Sequence, residues 1–147
     1  MIYTALTKKA MQISYEAHKN QTDKTGLPYI FHPFHLAEQM ADEISVCVAL
    51  LHDVAEDTDI TFGELARQGV SAEVIDALRL LTRDDTIPYM AYVQNIKDSG
   101  NQTAIAVKFA DLRHNSDVSR LDDVDAEMLA RLEKYKAAIH ILEQYSR

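Results

Sequence analysis

The segment Val46-Cys-Val-Ala-Leu-Leu51 is apolar on every side and runs directly into His52, Asp53, Glu56 and Asp57. A segment with no polar face has to be enclosed by other elements, and by pattern alone it fits a buried strand or a buried helix. Its surroundings decide for the helix. Gly (four) and Pro (three) are scarce and sit as punctuation, while strand-like alternation is nowhere sustained. The flanks carry helical spacing instead, beginning with Leu6, Ala10, Ile13 and Ala17. The chain is therefore expected to be all-α, a compact multi-helix bundle built around a central helix over Ser45–Ala55.

The remaining elements follow from start and stop signals. A first helix is expected over Thr4–Lys19, then a loop over Asn20–Phe31 where Gly26 and Pro28 interrupt a polar stretch. Pro33 suits the first turn of a second helix, because its missing N–H has no helical partner there. Thr61 and Glu64 have capping-box spacing, and Ser71 can cap the helix that carries Val74, Leu78 and Leu81. Further helices are expected over Tyr89–Asp98, stopping at Gly100, over Thr103–Val118 and over Ala126–Gln144.

With 147 residues the chain suits one domain, 1–147, long enough to bury about two-thirds of its unfolded surface. The lone Cys47 lies in the apolar run and reads as a small buried hydrophobe, so no disulfide is expected within one chain. No stretch approaches the roughly 18 apolar residues of a membrane span, and the N-terminus lacks the charge order of a leader. A soluble cytoplasmic protein is expected, without membrane contact. The formal charge of −8 repels nucleic acid and comes with no basic stripe, so no nucleic-acid partner is expected. It leaves room for a small phosphorylated ligand.

Ionisable groups at the end of a buried helix need partners, and a cation is an economical one. On a continuous helix, at about 100° per residue, His52, Asp53, Glu56 and Asp57 occupy roughly a 140° sector and line one wall of a pocket. Further ligands must come from elsewhere. His32, before Pro33, is one candidate, and Asp111 is another, with Lys108 and Asn115 on its own helical face. Two imidazoles and two carboxylates suit Mn²⁺, Fe²⁺ or Zn²⁺. His18, His35, His114 and His140 read as ordinary helix residues, and Tyr89 and Tyr92 as core or rim.

Three motifs follow in order: Ala17-His18-x-x-Gln21-x-x-Lys24-x-Gly26-x-Pro28-Tyr29-x-x-His32-Pro33, Leu50-Leu-His-Asp-x-x-Glu-Asp-Thr58 and Lys108-x-Ala-Asp-x-x-His-Asn115. The ordered set resembles the hydrolase domain of RelA/SpoT-type proteins, and equally the single-domain small alarmone hydrolases of the HD superfamily. The resemblance implies an all-α HD fold, with Mn²⁺ or another divalent transition metal on His32, His52, Asp53 and Asp111. It implies hydrolysis of the 3′-pyrophosphate of guanosine tetra- or pentaphosphate, with Glu56 and Asp57 in catalysis and Lys24, Lys108 and Asn115 near the nucleotide. No synthetase domain is expected within this length. Two positions depart from the pattern. Leu112-Arg113 stands where Arg-Leu is common, and the basic pair before Gly26 is reduced to Asp23-Lys24. Other expectations compatible with the residues are an HD phosphohydrolase for a different nucleotide, and a metal-containing nucleotide-binding module with negligible turnover.

Overall fold

The computed structural model describes residues 1–143. It contains α1 (Ala5–His18), α2 (Phe31–Glu38), α3 (Glu43–Leu51), α4 (Val54–Asp57), α5 (Phe62–Arg67), α6 (Ala72–Leu81), α7 (Tyr89–Ser99), α8 (Gln102–Asn115) and α9 (Ala126–Glu143). A short 3₁₀ turn spans Val118–Arg120. Among the described residues the only extended pairing is an isolated bridge between Thr22 and Pro28. The all-α expectation is borne out. Gln144, the last residue of the final expected helix, lies outside the described residues.

Local chemistry explains the boundaries. Thr4 and Thr7 form a reciprocal cap on α1, Thr61 accepts from Glu64 N–H on α5, and Ser71 accepts from Val74 N–H on α6. Gly100 ends α7 with φ 68°, a left-handed conformation that costs glycine little. The expected helix over Thr103–Val118 stops earlier, at Asn115. There Ser116 Oγ turns back onto the Leu112 carbonyl and Asp117 caps the 3₁₀ turn.

The apolar helix α3 sits at the centre, against α1, α2, α6 and α8. Every residue from Val46 to Leu51 is at most 1% exposed. Fully burying a Val or Leu side chain contributes about 1.5–3 kcal/mol, so this helix anchors the fold. The outer helix α9 packs on α7 and α8. No helix among the described residues is long and apolar enough to cross a membrane.

One expectation needs correction. The central helix does not continue through Ala55: it ends at Leu51, and α4 is a separate single turn. At the joint Asp53 departs from helical geometry, with φ −97° and ψ −4°, and the Ala49 carbonyl, which a continued helix would offer to Asp53 N–H, accepts from His52 Nδ1 at 2.7 Å. The continuous 140° sector is therefore replaced by two pieces. His52 and Asp53 occupy the joint, while Glu56 and Asp57 ride on the following turn.

Candidate active site

The C-terminal end of α3, the first turn of α2 and the middle of α8 converge, and each brings ionisable side chains. His32 Nε2 lies 2.9 Å from Asp111 Oδ1 and 3.9 Å from Asp53 Oδ2. His52 Nε2 lies 3.0 Å from Asp53 Oδ2 and 3.6 Å from Asp111 Oδ1. Ligand atoms of His32, His52 and Asp53 all fall within 4.8 Å of one another, a spacing compatible with a shared metal ion. His32, His52 and Asp111 are buried. The four residues named from sequence come together although 79 positions separate His32 from Asp111.

Each group is oriented by a neighbour. The Ala49 carbonyl can only accept, so the neutral His52 ring carries its proton on Nδ1 and keeps the Nε2 lone pair for the cluster. That Nε2 is buried and has no aligned hydrogen-bond partner. His32 Nδ1 meets His114 Nδ1 at 2.7 Å, and the two rings stack with centroids 4.9 Å apart. Tyr29 donates its hydroxyl to Asp53 Oδ2. Asp111 is held by Lys108 Nζ at 2.9 Å and by Asn115 Nδ2 at 3.1 Å. Such partners fix a ligand's direction and basicity.

The charges are strongly coupled. Burial alone would raise Asp111, but Lys108 and the two imidazoles outweigh it and hold its carboxyl well below the ordinary value. Burial likewise opposes charge on His52, yet Asp53 and Asp111 hold the ring well above its ordinary value. Two anions around two imidazoles thus favour a cation at their centre, supplied by protons or by metal.

Glu56 and Asp57 reach solvent beside this cluster. Partial burial, followed by the charge of Asp53, pushes both carboxyls above their ordinary values. A cleft of about 330 Å³ opens at Tyr29 and His32 and is also lined by Lys24, Asn115, Arg120 and Arg131. Of the three residues expected near the nucleotide, Lys24 and Asn115 therefore line the cleft. Lys108 lies beneath, bonded to Asp111 and packed near Tyr89 and Tyr92.

Sequence reading missed four residues. His114 and Tyr29 orient His32 and Asp53, and both stand inside the quoted motifs three positions or fewer from a named residue. Arg120 and Arg131 supply cations to the cleft from segments outside those motifs, so spacing offered no signal. They also bear on the two departures. Leu112 is fully buried, and Arg113 stands over Phe109 and lines a different groove. Asp23 accepts from Thr25 and Leu27 N–H and pairs with Arg120 at 3.3 Å, tying the loop after α1 to the 3₁₀ turn that follows α8.

Fold and site together define an all-helical HD-type architecture with a metal-compatible His/Asp cluster beside a cation-lined cleft. The same fold occurs in a solved structure of a metazoan ortholog of SpoT that hydrolyzes ppGpp: TM-score 0.79, 22% identity, 99% of this chain and 89% of that one. In sequence the chain is 32% identical to a guanosine-3′,5′-bis(diphosphate) 3′-pyrophosphohydrolase of Aquifex aeolicus, over 88% of this chain. It is 31% identical to a GTP pyrophosphokinase of Myxococcus xanthus, over 86%. It spans 19% and 18% of those two proteins. No family model matches the chain. The chain is a relative of RelA/SpoT-type proteins, as its motifs implied.

Proposed function

We propose that the chain hydrolyses guanosine tetra- or pentaphosphate at the 3′-position, giving GDP or GTP and pyrophosphate. The observation that carries the reading is the convergence of His32, His52, Asp53 and Asp111 next to a cleft with Lys24, Arg120 and Arg131. The relatives named for hydrolysing this substrate support it. So do Lys24, Arg120 and Arg131, three cations lining one cleft of a chain of net charge −8, alongside Asp23 and Asp117. A free nucleotide substrate accords with a cytoplasmic location.

The donor set fits a divalent ion. Two imidazole nitrogens and two carboxylates are borderline ligands, and the unpartnered His52 Nε2 is an available one. We assign Mn²⁺ to His32, His52, Asp53 and Asp111. Bound there, the ion would supply Lewis acidity and neutralise phosphoryl charge.

The chain's own residues do the rest. Glu56 and Asp57 orient the attacking water and accept its proton, and partial burial beside Asp53 raises their basicity, the direction that favours a general base. The water oxygen bonds to the phosphorus carried by the ribose 3′-oxygen. The bond from that phosphorus to the 3′-oxygen breaks, and the proton passes on to the departing oxygen. Lys24 and Asn115 bind the nucleotide, whereas Lys108 acts through Asp111.

Incubating the Mn²⁺-loaded protein with guanosine 3′,5′-bis(diphosphate) tests this. GDP and intact pyrophosphate are expected, and activity should vanish with a chelator. Release of orthophosphate, or an untouched alarmone alongside cleavage of another nucleotide, would sink the substrate assignment.

A further inference from the structure

Tyr89 opens α7, and three cations surround its ring. Lys134 Nζ lies 4.5 Å from the centroid, Lys108 Nζ 5.6 Å and Arg83 Cζ 5.7 Å. Lys108 has a carboxylate of its own in Asp111. Arg83 and Lys134 have none among the described residues: Arg83 Nε donates to the Ile87 carbonyl at 3.4 Å, and Lys134 also faces the Tyr135 ring at 5.6 Å. The chain carries 23 acidic side chains against 15 Lys and Arg, so two neighbouring cations, Arg83 and Lys134, with no carboxylate partner among the described residues are an uneven placement of charge. The three cations repel one another. Burial, and then Arg83, Arg131 and Lys108, hold Lys134 below its ordinary basicity. Tyr89 is half-buried, and attraction to a single ring does not offset the mutual repulsion of three cations gathered around it.

The cluster adjoins the candidate active site. Glu56 lies within electrostatic reach of Lys108 and of the Arg83 backbone, both of which favour its charged form. Arg131, Lys134 and Tyr135 stand at i, i+3 and i+4 on α9 and so share a face. Arg131 and Tyr135 line the cleft. The cations therefore fall into two groups: Lys24 and Arg120 at the end of the cleft formed by the loop after α1, and Arg83 and Lys134 on the Glu56 side.

We propose that Arg83 and Lys134, mounted on Tyr89, form an anion subsite for the terminal phosphate of the substrate's 3′-diphosphate. The 5′-diphosphate then lies toward Lys24 and Arg120. This rests on the alarmone reading. It adds a division of labour in which one cation group reads the diphosphate that is removed and the other reads the one that stays.

Calorimetric titration of the Mn²⁺-loaded protein with inorganic pyrophosphate and, separately, with GDP tests the division. Arg83→Gln with Lys134→Gln should weaken pyrophosphate by roughly tenfold or more, since two charge-assisted contacts are lost. GDP should stay within about twofold, because its diphosphate belongs to the other group. Lys134→Arg should restore part of the pyrophosphate affinity, and Mn²⁺ stoichiometry should not change. Weakening of GDP instead, equal weakening of both, or no change in either would overturn the subsite. Loss of Mn²⁺ would also overturn it, by showing that the cations act through Lys108 and Asp111. A wild-type protein that binds pyrophosphate through these residues yet leaves the alarmone intact would overturn the substrate reading alone.

Discussion

The two imidazoles of the cluster reach the same place by different means. His52 stands at the end of α3, whose apolar residues are buried throughout, and its Nδ1 is fixed by the backbone carbonyl of Ala49 one turn earlier. His32 stands where a loop enters α2, and its Nδ1 is fixed by a side chain, His114, brought from α8. A backbone carbonyl always accepts and cannot be removed by substitution. A histidine can accept or donate, and its ring leans in turn on His35 at 4.4 Å. One half of the cluster is thus written into the central helix, and the other depends on tertiary packing between α2 and α8.

The largest effects come from removing a ligand on the central-helix side. His52→Ala and Asp53→Ala should each abolish stoichiometric metal and cut turnover by more than the roughly hundredfold seen when outer partners are removed. Elemental analysis of the purified variants checks the first, and undiminished metal in both would end the assignment. Replacing Glu56→Gln together with Asp57→Asn should keep the metal but lower kcat by about 10²- to 10⁴-fold, the span attributable to positioned acid–base groups. Full turnover would make that single-turn helix structural, and loss of metal would bring one of these carboxylates into coordination.

The contrast between the halves is sharpest at His114. His114→Ala removes the partner of His32 Nδ1 and should weaken Mn²⁺ binding by about 10- to 100-fold, the range for an outer hydrogen-bond partner. His114→Gln places an amide oxygen near the lost acceptor and should recover most of that affinity. Metal titration monitored by the paramagnetic Mn²⁺ signal reads both variants. If His114→Ala binds like wild type, His32 is held by α2 alone and the two halves are equivalent.

Sequence made the His52 half more legible than the His32 half. Val46–Leu51 has no polar face, so its burial and the need to neutralise His52 and Asp53 could be argued from pattern. The break after Leu51 could not, because helical spacing reveals neither the departure at Asp53 nor the bond from His52 Nδ1 to the Ala49 carbonyl. His32 and Asp111 were candidates by residue type, and only the family resemblance joined them to the cluster. His114 shares a motif with Asp111, yet its partner lies 82 positions away, beyond any local periodicity. Arg120 and Arg131 were invisible for the same reason. Spacing put Lys108 on the face of Asp111, and the resemblance alone implied a place for it near the nucleotide; in the structure its ammonium is engaged by the Asp111 carboxylate.

The smallest effect separates the halves by charge. Without a divalent ion, burial disfavours imidazolium at His52, but Asp53 and Asp111 hold its pKa well above 6.5. His114 is held down to about 4, by burial first and then by His32, Arg120 and His35. The two act on the metal-free fold in opposite directions. Stability from His52 is fully present below pH 6.5 and is lost as pH rises through its raised folded value. Stability from a neutral His114 is present above pH 6.5 and is lost as pH falls through about 4. An ion that takes His52 Nε2 must displace the proton there, so Mn²⁺ affinity should rise with pH by up to about tenfold per unit. Because His52 is raised, that slope should persist above pH 6.5. His114→Gln should lower the affinity at every pH without changing the slope, since His114 is already neutral near neutrality. Mn²⁺ titrations across neutral pH in wild type and His114→Gln measure both. A wild-type slope that flattens at pH 6.5, or one that disappears in His114→Gln, would move the displaced proton off His52 and onto the other half of the cluster.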